Sequence, residues 1–119
     1  MNTYKDLTVW QKSIDLVLEV YATTDKFPKD EIFGITSQIR RAAVSIPSNI
    51  AEGKMRGSAN EFKRFLSIAF ASGAELETQI YISKKLSKTK DLDYNKVDSL
   101  LGEVMRMLNK LISQLDSKT

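Results

Sequence analysis

Val97-Asp-Ser-Leu-Leu101-Gly-Glu-Val104-Met-Arg-Met-Leu108-Asn-Lys-Leu111-Ile-Ser-Gln-Leu115 decides the fold class. Its residues Val97, Leu101, Val104, Leu108, Leu111 and Leu115 fall at alternating spacings of four and three. That spacing puts all six on one face of an α-helix and predicts a helix packed against others along its whole length. Asp93, just upstream, is the expected cap.

Working backwards, Ser58-Ala59-Asn60-Glu61 reads as a capping box, in which Ser58 and Glu61 each satisfy a free amide of the first turn. Phe62, Leu66, Ala69, Gly73, Leu76 and Ile80 then repeat with helical spacing. Before them, Ile32, Ile35, Ile39, Ala42, Ile46 and Ile50 form another stripe, with Pro47 inside it. Proline lacks the amide hydrogen and crowds the carbonyl of Ala43, so a kink or short break is expected there. Gly53 and Gly57 are expected to bracket the next loop. In the first segment, Leu7, Trp10, Ile14, Val17 and Tyr21 share a face, with Asp6 or Thr8 as cap and Phe27-Pro28 as terminator. No alternating strand pattern competes. Four helices joined by short connections predict an all-α, antiparallel up-down-up-down four-helix bundle, a single domain over 1–119.

The 119 residues include 18 Lys plus Arg and 15 Asp plus Glu, for a net charge of +3. Cysteine and histidine are absent. The chain therefore has no thiolate, no disulfide, and neither the usual acid–base group near neutral pH nor the commonest metal ligand. This argues against an enzyme and against a metal or other cofactor. Asp91-Leu-Asp-Tyr-Asn95 resembles the start of a calcium loop, but Lys96 and Gly102 occupy positions that need glycine and glutamate. Gly53-Lys-Met-Arg-Gly57 is not a P-loop, lacking the preceding strand and Gly-Lys-Ser/Thr. No apolar run is long enough for a membrane helix, and Met1-Asn-Thr-Tyr-Lys-Asp6 lacks the apolar stretch of a signal peptide, so a cytoplasmic protein is expected.

Charge is unevenly placed. Between Ser37 and Ser67, Arg40, Arg41, Lys54, Arg56, Lys63 and Arg64 face only Glu52 and Glu61, a net of +4. Four lysines with no acid follow between Lys84 and Lys90. Antiparallel packing of the second and third helices would gather Lys54, Arg56, Lys63 and Arg64 at one end, where they suit phosphates of RNA or a ribonucleoprotein. A solvated face with local i,i+4 pairs is the competing reading. Val9, Leu16, Val20, Phe70 and Tyr81 lie off the main stripes. They read either as a wider core stripe or as an interface for self-association.

Gln38-Ile-Arg-Arg-Ala-Ala-Val-Ser-Ile-Pro-Ser-Asn-Ile-Ala-Glu-Gly53 closely resembles the signature of a bacterial family. Its members are small four-helix-bundle proteins encoded in intervening sequences of 23S ribosomal RNA genes. The likeness extends through Leu7, Trp10, Tyr21, Phe27-Pro28, Glu31 and Gly34 to Arg56, Ser58, Glu61-Phe62, Arg64-Phe65, Ala69, Ser72 and Glu75-Leu-Glu-Thr78. It fades in the last helix. The resemblance implies a ring-like homopentamer. It also implies kinship with the accessory variability determinant proteins of diversity-generating retroelements, which are basic barrels that bind nucleic acid and a reverse transcriptase. The motif has a physical reading too. Asn49 is placed to satisfy the carbonyl that Pro47 leaves without a donor, and Arg41 to pair with Glu75 or Glu77. On that reading Arg41, Pro47, Asn49, Glu52, Gly53, Glu75 and Glu77 are structural; the alternative is a ligand-binding role. A protein-interaction scaffold with no nucleic-acid role remains the second functional reading.

Overall fold

The computed structural model describes residues 3–117; the outermost two residues at each end of the expected domain lie outside that range. Four α-helices account for most of it: α1 (Thr8–Thr24), α2 (Ile35–Met55), α3 (Ala59–Ser83) and α4 (Asn95–Asp116). Short 3-10 turns at Tyr4–Asp6 and Lys29–Glu31 precede α1 and α2. There is no strand among the described residues. The chain measures 47 × 23 × 20 Å along its principal axes.

The stripes of α3 and α4 are buried as their spacing predicts. Leu66, Ala69, Gly73, Leu76 and Ile80 of α3 meet Val97, Leu101, Val104 and Leu108 of α4 in one core, with Leu111 and Leu115 half-buried at its edge. Ile39, Ala42, Ile46 and Ile50 of α2 complete it. Ile32 precedes α2 and is exposed.

The first helix is rotated from the expected face. Val9, Leu16 and Val20 are 4%, 0% and 0% exposed and belong to the core of the single chain, so they are not an interface for a second copy. Tyr21 is exposed, and Leu7, Trp10 and Val17 pack only at the flank. The inward face runs Val9, Ser13, Leu16, Val20, Thr23 and Thr24. It is buried at low cost because Ser13 Oγ donates to Trp10 O at 2.7 Å and Thr24 Oγ1 to Val20 O at 2.8 Å. Hydroxyls bonded to their own helix satisfy the polar group without a partner from another element.

Helix α2 runs unbroken through Pro47, which is buried. It also runs past Gly53 to Met55, so Gly53 lies inside the helix and not at the edge of a loop. A Cβ on Gly53 would stand 2.6 Å from Phe65 Cβ and 3.3 Å from Phe62 O. Only a residue without a side chain lets α2 and α3 approach this closely. Gly57 has φ +86°, the left-handed conformation that turns the chain after the Arg56 cap.

The connections span residues 25–34, 56–58 and 84–94, two of them longer than the spacing suggested. The last is tied down by Thr89 Oγ1 donating to Ser83 O at 2.7 Å and Tyr94 OH donating to Thr89 O at 2.7 Å. Ser58 Oγ accepts from Glu61 N, as a capping box requires, but the Glu61 carboxylate turns to Arg64 and Arg56. Asp93 accepts from the Asn95 amide at the start of α4. Asp6 forms its reciprocal bond with Thr3 on the first 3-10 turn, and Leu7, the N-cap residue before α1, provides no side-chain cap.

Candidate nucleic-acid-binding surface

Close approach of α2 and α3 at Gly53 brings Lys54 and Arg56, at the end of one helix, beside Lys63 and Arg64, at the start of the next. Phe65 is 6% exposed, and its ring carries the Arg56 guanidinium at 4.9 Å and the Arg64 guanidinium at 4.5 Å from its centroid. Lys54 Nζ lies 5.5 Å from the Phe62 ring. Such contacts contribute about 0.5–1 kcal/mol each at exposed sites, and they hold long cationic side chains in defined places.

Carboxylates are built into the same surface. Arg56 Nη2 donates to Glu52 at 2.8 Å and its Nη1 lies 3.6 Å from Glu61. Arg64 grips Glu61 through Nε at 2.8 Å and Nη2 at 3.3 Å. Lys63 pairs with Asp116 at the end of α4. The hydrogen bond from Arg64 lowers the Glu61 pKa, and Glu61 in turn raises that of Arg64. Lys54 has no carboxylate partner among the described residues. The four cations thus stand among Glu52, Glu61 and Asp116, and a phosphate binding there must compete with those acids.

Arg40 and Arg41 are elsewhere. Arg40 and Lys54 sit about 21 Å apart along α2 at 1.5 Å per residue. Arg40 donates to Thr24 Oγ1 and to Asp25 Oδ1, both at 2.9 Å, and stacks on Tyr21 at 4.5 Å. Arg41 is exposed, as are Glu75 and Glu77, and no ion pair joins it to either among the described residues. Asn49 Nδ2 donates to Ser45 O at 2.8 Å and Ser45 Oγ at 3.1 Å, not to the Ala43 carbonyl freed by Pro47. Ser45 in turn shares a 2.6 Å hydrogen bond with Ser72 of α3. The central motif therefore fixes α2 against α3 through hydroxyls and a glycine contact instead of a charge pair.

Of the remaining interface candidates, Phe70 is half-buried against the core and Tyr81 is 61% exposed. Asp116, Phe65, Tyr21 and Asp25 organise the arginines and lysines but carry no sequence signal as partners. Glu52–Arg56 and Glu61–Arg64 are legible from their i,i+4 and i,i+3 spacing.

The family model described as 23S rRNA-intervening sequence protein matches residues 5–110, from the first 3-10 turn into α4. The chain belongs to that family. No curated protein matches the chain. Residues 38–53, the stretch that carries the resemblance, lie within α2 and end at the glycine packed on Phe65. Among the described residues no acidic cluster is arranged to hold a metal ion, and no helix is long and apolar enough to cross a membrane.

Proposed function

We propose that this 23S rRNA-intervening sequence protein is a non-catalytic, cytoplasmic four-helix bundle that works as a ring-like homo-oligomer. One observation carries the reading: large apolar side chains remain on the outside of α1, α2 and α3. Leu18 is 64% exposed, and Tyr81, Val44, Ile68 and Ile82 join it. Fully burying an exposed side chain of this size is worth roughly 1.5–3 kcal/mol, and covering the part of each that is still exposed contributes a fraction of that, so together they favour association. A heterologous contact that closes on itself makes a ring; the number five comes from the family resemblance. The bundle is read as up-down-up-down with a bend at Pro47. Supporting the topology, residues 45 and 53 of α2 meet 72 and 65 of α3, and residue 63 of α3 and residue 84 just after it meet 116 and 98 of α4, in reversed order each time.

Light scattering at micromolar concentration is expected to show a species near five times 13.5 kDa. Tyr81→Lys and Leu18→Lys are expected to give a folded, smaller species. A 13.5 kDa monomer for the parent protein refutes the ring.

The second reading is RNA binding by the Lys54–Arg56–Lys63–Arg64 surface, favoured by the two guanidiniums held on Phe65. Repetition around a ring would multiply the phosphate contacts. Replacing all four cations with Gln then weakens binding and flattens its salt dependence. Binding that is insensitive to salt and to these changes favours a protein-interaction scaffold instead.

A further inference from the structure

A cavity of about 340 Å³ opens where α1 ends and α2 begins, at the opposite end of α2 from the basic surface. Phe27 and Ile32 form apolar wall, and Arg40, Thr24 and Thr36 supply polar groups. Arg40 is preset for a planar anion. Its Nε is fixed on Thr24, its flat face lies on Tyr21, and its Nη2 holds the carboxylate of Asp25, whose side chain is 74% exposed. An exposed aspartate held by a mostly buried arginine is a ligand-like group that another carboxylate can replace.

A second observation points to an occupant. Thr36 is only 2% exposed, lines this cavity, and its Oγ1 has no hydrogen-bond partner. A buried hydroxyl left unpaired is costly, and bonding to a ligand recovers that cost. Thr36 also lies in the first turn of α2, which has no side-chain cap and whose free amides favour negative charge. The Glu31 carboxylate, 3.3 Å from where a Gly34 Cβ would stand, limits how much negative charge the site accepts.

We infer that this cavity binds a small organic monocarboxylate, with its carboxylate on Arg40 and Thr36 and its apolar body on Phe27 and Ile32. Lys29 stands at the rim as a second cation. The proposal does not depend on RNA binding or on the ring.

Benzoate is the probe, followed by amide NMR on the intact protein, with benzamide and inorganic phosphate as comparisons. Benzoate at millimolar concentration is expected to move the Thr36 and Arg40 signals saturably, and benzamide to move them far less. Arg40→Gln weakens benzoate about tenfold, the size of one charge-assisted contact of about 1.4 kcal/mol. Thr36→Val, nearly isosteric, weakens it several-fold. If Arg40→Gln fails to fold, the exposed Lys29→Gln and the benzoate–benzamide contrast decide: weaker benzoate binding and a clear contrast support the site. Absence of saturation, benzamide binding as well as benzoate, phosphate binding in preference, or a Thr36→Val protein binding benzoate as the parent does each overturns it.

Discussion

Gly53→Ala tests the close approach of α2 and α3 on which the basic surface depends. In an unconstrained helix the change is stabilising by up to about 1 kcal/mol, because alanine loses less backbone freedom than glycine. Here the new Cβ would stand 2.6 Å from Phe65 Cβ and 3.3 Å from both Phe62 Cδ1 and Phe62 O. Ordinary contact begins near 3.4 Å, so the first distance must open by about 0.8 Å. Phe65 Cβ is fixed to the backbone of α3 and cannot swing aside, so the helices themselves must separate. Overpacking of this kind costs about 1–3 kcal/mol. With the crowding shared by three atoms, a cost in the upper half of that range is expected, for a net loss of about 1–2 kcal/mol. For a chain of this length that lowers Tm by roughly 3–12 °C. The assay is thermal melting by circular dichroism at one fixed protein concentration, since association shifts apparent stability. Gly73→Ala is the comparison. Its Cβ would meet the Met105 thioether, the flexible end of a side chain, so a smaller loss is expected. A Gly53→Ala protein that melts at or above the parent temperature refutes the reasoning.

Leu108 is fully buried, and Leu108→Ala is expected to cost about 2–5 kcal/mol by chemical denaturation; a loss under 1 kcal/mol would contradict its central place in the core. Glu61 is expected to titrate below the ordinary glutamate value of 4.5, because Arg64 hydrogen-bonds its charged form. A depressed folded value means that this contribution to stability is present above pH 4.5 and is lost as pH falls through the folded value. Arg64→Gln should return the Glu61 midpoint upward in an NMR titration, and an unchanged midpoint would show that the pair does not form in solution.

Helical periodicity is a local property, and for α2, α3 and α4 it determined the buried face. In those segments one apolar stripe dominates, and turning the helix would bury charge: Glu75 and Glu77 on α3, or Asp98 and Lys110 on α4, all of which are exposed. The family signature was likewise legible, because it is a run of residue types along one helix. For α1 the sequence offers two faces of similar apolarity. Counting apolar residues favours Leu7, Trp10, Ile14, Val17 and Tyr21, yet the core takes Val9, Ser13, Leu16 and Val20. Ser13 and Thr24 on that face bond to their own backbone, so burial is decided by shape against α2 and α4, which no local pattern records. The basic residues follow the same division. Their number and their i,i+4 partners are written in the chain. That Lys63 meets Asp116 and Arg40 meets Asp25 follows from which helices are neighbours. Packing brought those carboxylates to the cations, because a charge pair between distant segments exists only once the apolar faces have fixed the register of the helices that carry it.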